Sequence, residues 1–263
     1  MKMPIFQVDA FTTEPFKGNP AIVCLLTDEI QEELMQYIAM EMNLSETAFL
    51  LPENGGYRLR WFTPVMEVDL CGHATLASSF VLYHKDLVKK EDLIRFYTRS
   101  GELKASVNND WITLNFPAFE EKPFTEAERL KEVLGVDPIQ VVQSGENVIV
   151  ELKSSEEIRQ LKPDFIQLVK IPLHGLAVTA RSDLPKFDFI SRYFAPWAGI
   201  NEDPVTGSAH ACLGPYWGKR LIKRKMIAYQ ASTRGGVIKV EVQGNRVLLG
   251  GQAVMIFEGE LKI

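Results

Sequence analysis

The chain has 263 residues, of which 46% are hydrophobic and 24% charged, and its net charge is −5. This length suits one large domain or two ordinary ones, and the composition supplies enough apolar material for a core. The acidic balance disfavours nucleic-acid binding, and no apolar run is long enough for a membrane span. The three cysteines show no CxxC spacing, which suggests neither a disulfide framework nor a zinc site, so we expect a reduced, cytoplasmic protein.

The first half of the chain combines strands with two predicted helices. Asp28 to Met42 has helical 3.6-residue spacing, with Thr27 or Asp28 as its N-cap and Asn43 as its end. From Gly72 to about His84, small and apolar residues occur all round, as in a buried helix. Strands are predicted over residues 5–11, 21–26, 44–51, 58–62, 93–98, 102–107 and 111–116.

Residues 117–123 are predicted to cross to a second half that repeats the plan of the first. A buried helix is expected again from Gly207 onward, and glycine-punctuated strands run from Ile227 to the C-terminus. The remaining predicted elements are helices over 124–134 and 156–161 and strands over 139–142, 147–152, 176–180 and 188–194.

An internal repeat links the two halves. The segment Arg-Trp-Phe-Thr-Pro at 60–64 matches Arg-Tyr-Phe-Ala-Pro at 192–196, and a glycine that opens a small-residue helix follows each. The pattern predicts a duplicated α+β fold, each half a curved sheet or partial barrel around one central helix, with the active site in a cleft between the halves. We place the first half at 1–116, completed by the strand near 250–263, and the second at 117–249.

The two helix starts and one strand carboxylate form the predicted site. Gly72 and Gly207 leave backbone N–H groups open to an anionic ligand at the positive end of a helix, although both could simply relieve packing. Glu46 shares the apolar face of its strand, where ionisation is costly, which suits a group that accepts and returns a proton near neutral pH. A structural ion pair with an arginine, or an exposed strand edge, is the alternative for Glu46.

Other polar residues lie beside these features. His73 follows Gly72, and because the helix dipole disfavours an imidazolium there, we expect a neutral ring. Asp203 is either a helix cap or a substrate-orienting group, and Ser208 occupies the position equivalent to His73. Ser45 should point away from Glu46 if the strand is regular. His210, on the second helix, is expected in the core or behind the site.

Cys71 could be a reactive thiolate because it precedes a helix start. No cysteine takes the matching place in the second half, so a two-thiol racemase mechanism is not supported. The chain contains no GxGxxG, Walker A, HExxH or GxSxG motif. We therefore expect neither a cofactor nor a metal.

Taken together, these segments resemble the PhzF-like family of phenazine-biosynthesis proteins, near the branch that includes animal phenazine-biosynthesis-like domain proteins. The resemblance implies two pseudo-symmetric domains of the diaminopimelate epimerase fold, usually in a homodimer. It implies a cofactor-independent proton shift on a small carboxylate-bearing substrate, with Glu46 as acid and base. The matching segments are 8–11, 18–21, 43–49, 69–75, 192–196, 202–210 and 234–236.

The resemblance also implies roles for the neighbours of Glu46. Ser45, His73, Asp203 and Ser208 would support the proton transfer, and the Gly72 and Gly207 amides would bind the substrate carboxylate. Two alternatives stay open: an amino-acid epimerase or racemase that uses Cys71, and a non-catalytic protein that binds a small molecule or regulates.

Overall fold

A computed structural model describes residues 2–263 of the chain. The chain divides into two compact units, Met1–Asn115 with Gly250–Ile263 (unit 1) and Phe116–Leu249 (unit 2). Helices and strands alternate irregularly in both units, which confirms the predicted α+β class. Among residues 2–263, no helix has the length and apolar character that a bilayer span requires.

Unit 1 is a mixed sheet with two helices. Its strands are β1 (Lys2–Ala10), β2 (Asn19–Leu25), β3 (Glu46–Glu53), β4 (Gly56–Phe62), β5 (Glu67–Val68), β6 (Ile94–Thr98), β7 (Gly101–Asn108), β8 (Trp111–Pro117) and, from the C-terminus, β18 (Ala253–Lys262). Its helices are α1 (Glu32–Met42) and α2 (Gly72–His84).

Pairing in unit 1 alternates between antiparallel and parallel neighbours. β1 pairs antiparallel with β2 and β18, β2 runs parallel to β3, and β3 is antiparallel to β4. β4 is parallel to β6, which continues antiparallel into β7 and β8. Parallel neighbours require a crossover, and α1 and α2 provide the crossovers for the two parallel pairs of unit 1.

Helix α2 is the buried helix that the sequence predicts, with the same bounds. Ten of its residues are buried, and it packs against β1, β2, β3 and β18. Small residues on every side permit this, because Ser78 and Ser79 return their hydroxyl hydrogen bonds to the helix carbonyls of Ala74 and Thr75.

Helix α1 begins later than predicted. It starts at Glu32 after Gln31 rather than at Asp28, because the Thr27 hydroxyl donates to the Asp28 carboxylate and caps no helix. The predicted end is correct: Asn43 is left-handed (φ 49°) and its N–H donates to the Ala39 carbonyl.

Unit 2 repeats the plan with more helical segments. Its strands are β9 (Glu121–Pro123), β10 (Gln140–Ser144), β11 (Asn147–Glu151), β12 (Gly175–Arg181), β13 (Phe189–Ala195), β14 (Ile200–Asp203), β15 (Lys225–Gln230), β16 (Gly236–Gln243) and β17 (Arg246–Gly251). Its helices are α3 (Ala127–Leu134), α4 (Ser155–Gln160), α5 (Phe165–Leu168) and α6 (Gly207–Leu221), with a 3₁₀ turn at Pro196–Ala198. The predicted crossing segment 117–123 thus contains a short strand, β9, which pairs with β10.

The order of pairings in unit 2 matches that in unit 1. β10 is antiparallel to β11, β11 parallel to β12, β12 antiparallel to β13, β13 parallel to β15, and β15 antiparallel to β16. α6 lies between β13 and β15 in the chain, as α2 lies between β4 and β6, and nine of its residues are buried. The sequence repeat is therefore also a repeat of topology.

The arginine of each repeat has a structural task. Arg60 donates two hydrogen bonds to Glu67, at 2.7 and 2.6 Å, and Arg192 donates two to Glu202, at 2.8 and 2.9 Å. Each guanidinium also lies over the phenylalanine two residues later, at 5.1 Å in unit 1 and 4.9 Å in unit 2. In both units this fork holds the segment that leads into the buried helix.

Candidate active site

Glu46 is the first residue of β3, where it pairs with Ala21 of the parallel strand β2. Its side chain is 14% exposed, so most of it is withdrawn from solvent. The charged group beside it is a histidine and not the arginine of the alternative ion pair: Oε2 of Glu46 lies 3.0 Å from Nε2 of His73.

The contact between Glu46 and His73 is close but poorly aligned. Both atoms are buried, and neither Oε2 of Glu46 nor Nε2 of His73 makes a hydrogen bond of acceptable geometry within residues 2–263. Buried polar atoms are normally satisfied, and catalytic hydrogen bonds often tighten only when a ligand is bound. The pair therefore presents an acceptor and a donor that a bound molecule can use.

The charge on His73 differs from the expectation. His73 is 4% exposed, and burial alone would lower its pKa, but negative charge at Cys71 and Glu46 raises that pKa well above the ordinary 6.5. We assign the effect mainly to the Glu46 carboxylate, because burial raises the pKa of the Cys71 thiol and keeps it neutral. The expected neutral ring is thus wrong: a carboxylate 3.0 Å away outweighs the helix dipole.

Asn19 connects His73 to Ser45. It is fully buried at the start of β2, with Nδ2 3.1 Å from His73 Nδ1 and Oδ1 3.2 Å from the Ser45 hydroxyl. Ser45 joins the same cluster as Glu46 because it lies in a bend before the regular strand, where strand alternation does not apply. Sequence reasoning missed Asn19, whose only signal was its place in a glycine–asparagine–proline turn.

The turn before Asn19 is held by the backbone. Gly18 has φ +64°, and a Cβ there would run into the Ala10 carbonyl, so glycine is required. The buried Asp9 carboxylate accepts a hydrogen bond from the Phe16 N–H at 2.8 Å. These constraints fix the direction in which the Asn19 side chain enters the core.

Cys71 is a cap, not a free nucleophile. Its Sγ accepts a hydrogen bond from the Ala74 N–H at 3.4 Å at the start of α2, and it lies 3.6 Å from His73 Nδ1. Because the thiol is buried and its pKa is raised, the reactive thiolate considered from the sequence is disfavoured.

Glu46, Cys71 and His73 also offer a possible metal donor set. One ligand atom from each lies within 4.8 Å of the other two, and oxygen, sulfur and nitrogen together suit zinc. The sulfur, however, approaches Nδ1 of the ring and the carboxylate approaches Nε2. A single ion can bind only one of the two ring nitrogens, so it would use at most one of these close approaches.

The remaining predicted residues lie in unit 2, where α6 begins at Gly207. The Thr206 hydroxyl donates to Oδ2 of Asp203 at 2.5 Å. The fully buried Gln230 accepts from the Thr206 N–H at 2.9 Å and donates to the Asp203 carbonyl at 2.8 Å. Gln230, which the sequence did not single out, therefore fixes the turn that carries Asp203. Ser208 is exposed, whereas its counterpart His73 is buried.

His210 lies in the core of unit 2, which is one of the two positions expected from the sequence. It is fully buried, its Nδ1 lies 2.8 Å from the Thr206 carbonyl, and its ring stacks on Phe189. Burial lowers its pKa to about 4, so the ring is neutral and donates from Nδ1 to that carbonyl.

Register identifies the counterpart of Glu46 in unit 2. Phe49 pairs with the repeat arginine Arg60, and Val178 pairs with Arg192, so Gly175 corresponds to Glu46 three residues earlier. A side chain at 175 would meet the Tyr193 hydroxyl, which instead donates to Asn147 at 2.7 Å. Unit 2 therefore has no carboxylate at this position.

Comparison with known proteins agrees with these features. The model of the phenazine biosynthesis-like protein family matches residues 8–259. The chain belongs to this family. It is 50% identical to an uncharacterized isomerase of Halalkalibacterium halodurans, over 99% of both chains, and 42% identical to the human phenazine biosynthesis-like domain-containing protein, also over 99% of both. The crystal structure of a PhzF-family protein from Enterococcus faecalis superposes with a TM-score of 0.94 at 44% identity, over all of both chains.

Family membership confirms the resemblance stated from the sequence and the predicted fold class. It also confirms the expected enzyme class, an isomerase, since curated relatives from H. halodurans and Pseudomonas aeruginosa carry that name.

Proposed function

We propose that the protein shifts a proton within a small carboxylate-bearing molecule, with Glu46 as the general acid and base. The observation that carries the proposal is the pair of buried, unsatisfied atoms, Oε2 of Glu46 and Nε2 of His73, 3.0 Å apart. A group that removes a proton from carbon and returns it to another position must be protected from water and poised in both protonation states.

The two side chains have complementary tasks in this proposal. Glu46 takes the proton from the substrate and delivers it to a second carbon on the same face. His73, charged in the resting site, donates from Nε2 to the substrate atom where negative charge develops. The step needs no cofactor, because Glu46 returns one proton to the substrate for each proton that it removes.

The start of α2 supplies a place for the substrate carboxylate. The helix is 13 residues long, and its first backbone N–H groups, at Gly72 and His73, point out of its positive end. We propose that Gly72 binds the carboxylate there, with Ser45 supporting Glu46. In unit 2, Asp203 stays a predicted catalytic residue, and Gly207 and Ser208 stay predicted substrate contacts. The homodimer and the cytoplasmic location also stay predictions.

The test begins with a ligand. A thermal-shift screen of small cyclic and amino carboxylic acids identifies binders, since a ligand at one hundred times its Kd stabilises the folded state by about 2.7 kcal/mol. A binder is then incubated with protein in deuterated water, and label in the recovered molecule is measured by mass spectrometry. We expect incorporation with the wild type and none with Glu46→Gln, which should still bind the ligand.

The control is Glu102→Gln, an exposed carboxylate paired with Arg95 on the outside of unit 1. It should exchange at the wild-type rate. Normal exchange by Glu46→Gln would remove Glu46 from the mechanism.

The epimerase alternative depends on Cys71 as a second base. Its raised pKa and its capping contact with Ala74 count against that role. Cys71→Ala should therefore keep the exchange activity and lose only the helix cap, about 1 kcal/mol of stability. Loss of exchange in a folded Cys71→Ala variant would instead favour the epimerase. A non-catalytic binding protein would show ligand stabilisation without any exchange.

A further inference from the structure

Trp61, on β4, carries a buried donor that the fold leaves unused. The residue is 1% exposed, and its Nε1 atom has no hydrogen-bond partner within residues 2–263. An indole N–H can donate but cannot accept, and burying it without an acceptor costs free energy. Because buried polar groups in native proteins are normally satisfied, this N–H needs an acceptor from outside the chain.

Two other tryptophans show how the fold treats this group elsewhere. The Trp197 N–H donates to the Ile171 carbonyl at 2.8 Å, and the Trp217 N–H donates to the Thr179 hydroxyl at 2.9 Å. Trp217 is as deeply buried as Trp61, so burial by itself does not deny an indole its partner. The unpaired N–H of Trp61 is therefore a property of its position.

Strand register places Trp61 beside the candidate active site. It pairs with Ala48 of β3 on one side and with Val68 of β5 on the other. Side chains alternate along a strand and cross-strand partners share a face, so Trp61 lies on the same face as Ala48 and Glu46. After Val68 a short loop leads directly to Gly72, the first residue of α2.

Unit 2 shows where an aromatic side chain at this position extends. Tyr193 follows the repeat arginine as Trp61 does, it pairs with Ala177, and its hydroxyl lies beside Gly175, the counterpart of Glu46. The ring thus crosses diagonally to the first residue of the neighbouring strand, a distance that aromatic side chains can reach. The same course in unit 1 would bring the indole of Trp61 towards Glu46.

The other unpaired atoms are Oε2 of Glu46, Nε2 of His73 and Oγ1 of Thr47. Glu46 and His73 form the pair already described, on the face that Trp61 shares. Thr47 pairs with Phe62 and faces the opposite side of β3, where Phe62 packs in the apolar cluster of α1. The active-site face therefore offers one acceptor, Glu46, and two donors.

We propose that Trp61 is a substrate-binding residue, whose indole N–H donates to a second acceptor atom of the substrate while the substrate carboxylate is bound at α2. This inference rests on the proposed function and narrows its substrate class. Besides the carboxylate, the substrate carries an oxygen that accepts a hydrogen bond, in a hydroxyl, a carbonyl or a second carboxylate. A molecule without this oxygen leaves the indole unpaired and binds more weakly.

Nuclear magnetic resonance of the indole N–H groups tests the inference on the wild-type protein. The chain has four tryptophans, and the signal that Trp61→Phe removes belongs to Trp61. The probes are propanoate with lactate and butanoate with succinate, pairs in which the second acid adds the acceptor oxygen. We expect lactate or succinate to move the Trp61 proton downfield, as a new hydrogen bond does, and propanoate and butanoate to leave it in place.

The signals of Trp197 and Trp217 are the internal controls, because their N–H groups are already bonded and should not respond to any probe. The absence of a Trp61 shift with every probe at its highest soluble concentration would overturn the proposal. Equal shifts with both members of each pair would also overturn it, since the added oxygen would then have no effect.

Affinities of Trp61→Phe provide a second readout. The variant should bind the acid with the added oxygen about twofold to tenfold more weakly than the wild type does, and the matched acid equally well. Equal weakening for both acids would indicate a merely structural role and count against the proposal. The proposed function fails separately, if Glu46→Gln retains deuterium exchange, because the Trp61 measurements require binding and no turnover.

Discussion

Replacing Arg192 with methionine should destabilise unit 2 by about 3 kcal/mol. The guanidinium donates two hydrogen bonds to Glu202 and two more to the carbonyls of Ile158 and Leu161, at 3.1 and 2.6 Å. Arg192 and Glu202 side chains are 14% and 20% exposed. Removing one partner of a buried pair costs about 3–5 kcal/mol, and the residual exposure of Glu202 places our value at the lower end.

The double variant Arg192→Met with Glu202→Leu separates the two parts of this cost. It removes the uncompensated carboxylate and leaves only the two carbonyls without their donor. Each unsatisfied buried acceptor costs about 1–3 kcal/mol, so the two carbonyls retain at least about 2 kcal/mol of the loss and the double variant should recover about 1 kcal/mol. Recovery of stability when Glu202 is also replaced would show that its unpaired carboxylate caused part of the loss.

Arg159 is the matched control because it forms the same two-bond fork with Asp183, at 2.9 and 2.7 Å. These side chains are 34% and 52% exposed, so Arg159→Met should cost no more than about 1 kcal/mol. Urea unfolding followed by tryptophan fluorescence measures all three variants. The reasoning is refuted if Arg192→Met loses no more than the control, or if the double variant is no more stable than the single one.

Two further predictions concern unit 2. His210 has a pKa lowered to about 4 against 6.5 when unfolded, so the unfolded chain binds the extra proton between these values and stability should fall as pH drops from 6.5 to 4. His210→Gln should remove this contribution, on the order of 3 kcal/mol, from the pH dependence of urea unfolding, and an unchanged slope would contradict it. Gly175→Ala should lower the Tm, because the added methyl group would overpack Tyr193 at a cost of about 1–3 kcal/mol of stability. In the control Gly259→Ala the methyl group meets open space, so its stability should lie within about 0.5 kcal/mol of the wild type. Equal Tm values for the two variants would refute the packing argument.

Local sequence pattern predicted the elements that carry their own signal. The small residues on all sides of α2 predicted its bounds correctly, because such a helix is only stable when surrounded. The predicted start of α1 was wrong because the hydroxyl of its predicted cap, Thr27, donates to the Asp28 carboxylate instead. Helical periodicity in the sequence does not show which partner a hydroxyl will bind. The repeat predicted the shared topology but not the glutamates that its arginines bind, which lie at different spacings of 7 and 10 residues.

The candidate site was predictable in its members and not in their electrostatics. Glu46 and His73 were singled out from a strand face and a helix start, and the structure brings them together. The charge of His73 depends on a carboxylate 27 positions away in the chain, which a local dipole argument omits. Asn19 was invisible for the same reason: its importance comes from contacts with residues on β3 and α2.

The differences between the two units bear on the reaction itself. The strands β3 and β12 occupy equivalent places in the two units, but β3 begins with Glu46 and β12 begins with Gly175. In unit 2 the space beside Gly175 is taken by Tyr193, whose pKa burial raises far above its ordinary value, and by the neutral Asn147. The proposed function needs one base that removes a proton from the substrate and returns one to it. A carboxylate at position 46 without a counterpart at position 175 agrees with that proposal.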